Sequence, residues 1–382
     1  MDDLTSLLAD LVSIPSINPM GRALVGPEVL ETRLTGYLED WLGRNGITCR
    51  RQPVAPGRDN LFAKFESPGS PRTLLFDVHQ DTVPTDGMTI DPFRPRIEDG
   101  RMWGRGSCDI KGGMAAMLVA AARLCRERPP RAASVVLACT VDEEYTHTGA
   151  SRLARTAHGA DLAIIAEPTL LDLVHCHKGA LRCKIRTRGV ACHSSTPDRG
   201  VNAIYRMSRV LDALAEYAGI LGATVPDPIV GPPSLSVGRI EGGQSVNIVP
   251  DWCEIEVDRR LIPGEQPEQS SAAILQFLGD RLGSLEGVEF DQPWVSLPAL
   301  VPRLEKWVEP LKEAVRRGTG HEPRVVGVPY GTDAGPLSAT GLPCVVFGPG
   351  DIAQAHTQDE WVDLDQVHRA AEAYYQMALT LG

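Results

Sequence analysis

The sequence predicts an α/β protein with a mixed, largely parallel sheet covered by helices on both faces, interrupted by an inserted α+β domain. Three observations lead there. The chain has 382 residues, 43% of them hydrophobic and 23% charged, which is enough for a sizeable core and for roughly two domains at ~150 residues each. Short apolar runs bounded by turn residues alternate with helical stretches, as strands and crossover helices do. That alternation stops near Gly179 and resumes after a Pro-rich join at Gln292 to Pro302.

Taken in order, Leu4, Leu7, Leu8, Leu11 and Val12 form one apolar helical stripe, and Leu30, Leu34, Tyr37, Leu38, Trp41 and Leu42 form a second, stopped by Gly46. An alternating strand (Leu61, Ala63, Phe65) precedes continuous apolar runs at Thr73 to Val78, Ser134 to Val141 and Asp161 to Ala166, with helical stretches Gly112 to Arg126 and Gly149 to Ala157 between them. Continuous apolar strands separated by helices belong to a sheet buried on both faces. From Gly179 the strands alternate instead, as in Leu181-Arg182-Cys183-Lys184-Ile185. A helix near Asn202 to Tyr217, a strand pair around Ser234 to Ile240 and Val246 to Val257, and a helix at Glu268 to Leu282 complete the insert. The α/β pattern then returns with a helix (Leu304 to Arg316), strands (Arg324 to Val328, Cys344 to Phe347) and a last helix (Leu364 to Leu379). The expected domains are 1–178 with 297–382, and 179–296 inserted. No internal repeat or low-complexity tract is present.

Composition excludes several functions. The 49 acidic against 38 basic residues leave a formal charge of −11, which repels phosphate backbones and anionic lipid, so neither nucleic acid nor membrane is expected as a partner. The longest near-apolar run, Met114 to Ala122, is far short of the ~20 residues of a membrane span. Met1-Asp2-Asp3-Leu4 is acidic where a secretion signal needs positive charge, so the expected address is cytoplasmic. The nine cysteines are odd in number and include no C-x-x-C pair, which argues against a disulfide framework or thiolate metal site. Histidines and carboxylates remain as metal ligands.

Their positions carry the chemistry. Thr73 to Val78 runs into His79-Gln80-Asp81; Ser134 to Val141 runs into Asp142-Glu143-Glu144; Asp161 to Ala166 runs into Glu167; Cys344 to Phe347 is followed by a Gly-Pro-Gly loop and His356. Sites in open parallel sheets lie beyond the carboxyl ends of the strands, so these groups converge. Asp109 joins them from the Gly-rich loop Arg105-Gly-Ser-Cys-Asp-Ile-Lys-Gly-Gly113. A single carboxylate after a strand is usually a helix cap or a surface charge. Five such groups, with two imidazoles among them, suit Zn²⁺, with Co²⁺ or Mn²⁺ as substitutes, and they suffice for two ions.

The segments His79-x-Asp81-Thr-Val-Pro, Gly106-x-x-Asp109-x-Lys-Gly-Gly, Asp142-Glu143-Glu144 with Gly149-Ala150, Glu167-Pro168-Thr169 and Gly348-Pro-Gly-x-x-x-Gln-Ala-His356 resemble the co-catalytic zinc deacylases and peptidases: acetylornithine deacetylase, succinyl-diaminopimelate desuccinylase, aminoacylase and glutamate carboxypeptidase. The resemblance spans essentially the whole chain. It implies a zinc-peptidase-like catalytic domain with a ferredoxin-like dimerisation insert, and two zinc ions per subunit. Asp109 would bridge the ions, His79 and Glu167 complete one site, and Glu144 and His356 the other. Glu143 would be the general base, with Asp81 accepting a hydrogen bond from His79 and fixing its tautomer. His193, in Gly189-Val-Ala-Cys-His193-Ser-Ser-x-Pro197, would reach the active site of the other subunit of a homodimer. Arg260 would pair with the substrate's α-carboxylate, with Asn247 adding a hydrogen bond.

Gly331-Thr332-Asp333-Ala-Gly335 resembles the family's substrate loop, where Asp333 would attract a cationic side chain. Val78 departs from the small residue usual before the histidine. Thr146-His147-Thr148 is also unusual and offers His147 a place near the substrate, although His147, His175 and His177 are expected first as surface or strand-end histidines. Glu167-Pro-Thr169, His177-Lys-Gly179 and the His193 segment resemble most the acetylornithine deacetylase branch, which implies hydrolysis of an N-acyl amino acid such as N²-acetylornithine and a place in arginine biosynthesis. Desuccinylase, dipeptidase or carboxypeptidase activity on the same scaffold is the alternative within enzymes, and a metal-bound dimeric binding protein is the alternative outside them.

Overall fold

A computed structural model describes residues 3–156 and 159–382. The chain divides into two compact units, one of Met1–His175, Pro302–Gly327 and Thr332–Gly382, the other of Cys176–Val301 with Val328–Gly331.

The first unit is built on an eight-stranded sheet in the order Cys49–Ala55, Arg58–Phe65, Ser134–Thr140, Thr73–His79, Leu162–Ile165, Cys344–Val346, Leu173–His177, Val325–Val328. Strands Ser134–Thr140, Thr73–His79, Leu162–Ile165 and Cys344–Val346 are parallel, and antiparallel neighbours flank them. Every residue of Ser134–Thr140 and Leu162–Ile165 is buried, because helices cover both faces of this part of the sheet. Helix Asp3–Ser13 buries its leucine stripe, and helix Gly112–Glu127 is buried through Met114–Leu118, each buried leucine or methionine contributing about 1.5–3 kcal/mol. Helices Val308–Thr319 and Leu364–Thr380 pack together so closely that a Cβ on Gly318 would stand 2.5 Å from the Ala373 Cα. Asp363 caps the latter helix by accepting from the Gln366 N–H.

Two helices start later than their apolar stripes suggest. The second is Thr32–Arg44: Leu30 is left-handed at φ 67°, and Glu31 turns inward to Arg58. The seventh is Val308–Thr319 rather than Leu304 to Arg316, because Pro310 lacks an N–H and fits only a first turn. The helix expected to reach Ala157 is Thr148–Ala154; Ala157 lies outside the described residues, as do Met1 and Asp2. A small sheet of Trp361–Asp363, Arg101–Trp103 and Arg96–Glu98 has three-residue strands too short for a periodicity to register.

In the second unit, Ser234–Gly242, Trp252–Leu261, Gly179–Arg188 and Val288–Phe290 form an antiparallel sheet, with Val295–Leu297 also paired to Gly179–Arg188. Burial alternates residue by residue along Trp252–Leu261, so one face is packed. Helices Ala203–Gly222 and Pro267–Leu282 pack there through Met207, Val210, Leu214, Ile274 and Leu278 against Cys183, Ile185, Cys253 and Ile255. All nine cysteines are free. Among the described residues no helix is long and apolar enough to cross a membrane.

Candidate metal centre

The parallel strands of the first unit deliver their acids and imidazoles to one edge. His79 ends Thr73–His79, and its Nδ1 lies 3.0 Å from the Asp81 carbonyl oxygen. A carbonyl only accepts, so Nδ1 carries the proton and Nε2 presents its lone pair outward. That Nε2 is 3.1 Å from Asp109 Oδ1 and 4.0 Å from Glu167 Oε1. Asp109 Oδ2 is 3.4 Å from His356 Nε2, which is also 3.0 Å from Glu144 Oε2. Glu143, His147 and Asp333 make one group whose ligand atoms lie within 4.8 Å of one another; two more, His79, Asp109 and Glu167, and Asp109, Glu144 and His356, meet the same distance. Asp109 belongs to both.

The loop bearing Asp109 is held from behind. The buried Glu360 carboxylate accepts from the N–H groups of Gly106, Cys108 and Asp109 and from Arg105 Nη1 at 2.7 Å. Asp81 anchors the neighbouring loop: its Oδ1 accepts from the Glu143 N–H and its Oδ2 from the Glu144 N–H and Asn18 Nδ2. Asp142, at φ 67°, takes a 2.6 Å bond from Arg58, whose guanidinium is gripped by the fully buried Glu31. Gly149 closes this loop, since a Cβ there would sit 2.3 Å from the Val141 carbonyl oxygen.

Electrostatics identifies what such a set needs. Burial, then the charges of neighbouring carboxylates, push Glu143 and Glu167 well above the usual carboxylate range, and Glu144 is raised the same way. Asp109 stays below it: burial works upward, but the neighbouring His356 and His79 imidazoles outweigh it. His356 is pushed up to about 11 by Asp109 and Glu144 against the opposing effect of burial. Glu144 Oε1 is buried with no hydrogen-bond partner. Four buried carboxylates, one orphaned oxygen and two imidazole lone pairs fit divalent cations, which would offset the charge that desolvation penalises.

A model of the peptidase family M20/M25/M40 matches residues 75–380. The chain belongs to this family. It is 34% identical over 349 residues to an acetylornithine deacetylase of Myxococcus xanthus, covering 88% of each protein. It is 32% identical over 380 residues to one of Pectobacterium carotovorum subsp. carotovorum (strain PC1), covering 96% of this chain and 94% of that protein. The crystal structure of the YXEP protein of Bacillus subtilis, a dinuclear metal-binding peptidase of family M20, shares the fold at a TM-score of 0.71 and 16% identity, over 99% of this chain and 97% of that one. This M20 protein is thus a metal-dependent hydrolase acting on amides.

Of the residues singled out in the sequence, the structure brings together His79, Asp81, Asp109, Glu143, Glu144, Glu167 and His356. Asp81 differs in detail from expectation: its backbone carbonyl, not its carboxylate, takes the His79 Nδ1 proton, the carboxylate oxygen being 3.8 Å away. Its side chain is occupied with the amides that orient Glu143 and Glu144. Asp333 departs further. It is 1% exposed, with Oδ1 held 3.0 Å from His147 Nδ1 and Oδ2 accepting from Thr140 at 2.9 Å, which leaves no open carboxylate for a cationic substrate. Thr332 is fully buried, its hydroxyl oxygen accepting from the Ala334 N–H.

His147 is buried rather than at the surface, and His177, expected at the surface or at a strand end, is buried at the end of strand Leu173–His177. The Thr140 hydroxyl also lies 3.1 Å from Asp77 Oδ1. Burial, then the Asp333 charge, push Asp77 well above the usual carboxylate range.

His193, Asn247 and Arg260 belong to the second unit. The Cys192–His193 strand pairs with Ile248–Val249, and His193 Nδ1 accepts from the Ser195 hydroxyl at 2.7 Å and, at 3.1 Å, from its N–H. Asn247 Oδ1 accepts from Ser245, and Arg260 Nε donates to Asp258 at 2.7 Å.

Proposed function

We propose that this protein is a dinuclear N-acyl amino acid deacylase, with N²-acetylornithine as the first substrate to test. One observation supports it above others: Asp109 lies between two ligand groups, each with one imidazole and one glutamate, while Glu143 stands beside them as a carboxylate outside both. The relatives named for acetylornithine hydrolysis, matched over most of the chain, favour an acetyl group on an amino acid.

His79, Asp109 and Glu167 would hold one zinc ion, Asp109, Glu144 and His356 the other, with Co²⁺ or Mn²⁺ as substitutes. Two such cations, when bound, lower the pKa of a shared water and polarise an amide carbonyl. Glu143 takes the proton of the attacking water and returns it to the leaving amine. A positioned carboxylate can serve both halves of that task, as base toward the water and as acid toward the amine. Arg260, with its planar fork, pairs with the substrate carboxylate, and Asn247 adds a hydrogen bond. Residues 179–296 act as dimerisation and lid domain. His193 then stabilises the developing oxyanion at the site of a second copy.

The test is a panel of N-acetyl amino acids, N-succinyl-diaminopimelate and dipeptides, assayed with zinc-loaded and cobalt-loaded protein. Selective turnover of N-acetyl amino acids is expected. Faster turnover of dipeptides would give the site to a peptidase, and no turnover of any member, with metal bound, to a binding protein.

A further inference from the structure

We propose that His147, anchored by Asp333, is a positioning residue for Glu143. His147 Nδ1 lies 3.0 Å from Asp333 Oδ1 and 3.6 Å from Glu143 Oε1, and all three residues are buried. Both neighbours are carboxylates, which accept, so Nδ1 carries its hydrogen and directs it mainly to the nearer Asp333. Asp333 cannot swing away, because its other oxygen is held by Thr140.

The main chain fixes the ring from the other side. The His147 N–H donates to the Asp142 carbonyl at 2.7 Å, and the hydroxyls of Thr146 and Thr148 donate to the Asp142 carboxylate. His147 is left-handed, at φ 54°, a conformation that costs a β-carbon residue energy and persists where surrounding contacts impose it. The ring is thus a rigid N–H beside the Glu143 carboxylate. A group that must take a proton and hand it on works only in a narrow range of orientations, and misplacement by about 1 Å is enough to lose about 100-fold in rate.

This rests on Glu143 as general base, so the experiment separates the two ideas. His147→Ala and His147→Asn are made in the native chain and in Glu143→Ala, and kcat, KM, bound zinc by elemental analysis and melting temperature are measured. The asparagine amide places an N–H where Nδ1 stands and tolerates the left-handed backbone. Alanine should lower kcat about 10- to 100-fold with KM and zinc content held, asparagine should recover most of the loss, and in Glu143→Ala the further change should vanish. Should the alanine variant not fold, His147→Gln, with no donor at the Nδ1 position, replaces it. Unchanged kcat, equal losses in alanine and asparagine variants, loss of zinc, or the same fold-loss in both backgrounds overturns the positioning role. Full activity in Glu143→Ala alone overturns the base reading, and the positioning role with it.

Discussion

The sheet edge of the first unit and the His193 ribbon of the second hold their polar residues by opposite means. At the sheet edge, the acids are withdrawn from solvent and oriented by partners far away in sequence, Asp109 by Glu360, Glu143 and Glu144 by Asp81, Asp142 by Arg58, and of the ligand groups His356 alone is exposed. On the ribbon, His193 and Asn247 are exposed and bonded to residues two positions away. A desolvated, cross-braced site is prepared in advance for an ion. An exposed, locally braced one keeps its side chains available for a ligand or a second chain. The contrast is between preorganisation and accessibility, and it makes different variants informative in each region.

The largest effect is expected at the residue shared by both ligand groups. Asp109→Asn should bring bound zinc below one ion per chain and abolish amide hydrolysis, as read by elemental analysis and assay; two retained ions would break the contrast at its strongest point. Next is Glu360→Gln, which supplies no ligand atom itself but weakens the brace on Arg105 and three amides, that of Asp109 among them. Disturbing a buried, hydrogen-bonded charge should cost about 3–5 kcal/mol in denaturant unfolding. A midpoint equal to the parent's would show that the edge is not cross-braced.

On the ribbon, His193→Ala should leave stability and zinc unchanged while lowering kcat by about 100-fold. Mixing that variant with Glu143→Ala should restore a measurable share of activity if the histidine works across a dimer, and no recovery would confine it to its own chain. The smallest effect is expected for Arg260→Lys, which keeps the charge and loses the fork: KM should rise about 10-fold for substrates with a free carboxylate, and not for their amides.

Much of the sheet edge was legible in the sequence because continuous apolar strands such as Ser134–Thr140 end abruptly in acids, a pattern that survives without knowledge of tertiary contacts. The bracing was not. Glu31 lies just before helix Thr32–Arg44, and its burial is explained by Arg58 and the Asp142 N–H, which meet it in space from later in the chain. His147 differs from a surface histidine through a carboxylate at position 333, and Asp333 loses its role in attracting cations for the same reason. Pairings between residues hundreds of positions apart leave no local periodicity, and they are the contacts that decide which acids are free.

The Glu360 latch also has a consequence in time. Asp109 and its loop are synthesised long before His356 and Glu360, which lie near the end of the chain. Until residues 356 to 360 have been added, the nascent chain can form the His79 and Glu167 strands but can neither brace Asp109 through Glu360 nor complete the second ligand group. The brace on Asp109 and the second ligand group are therefore late to form, and a chain truncated before residue 356 would lack both.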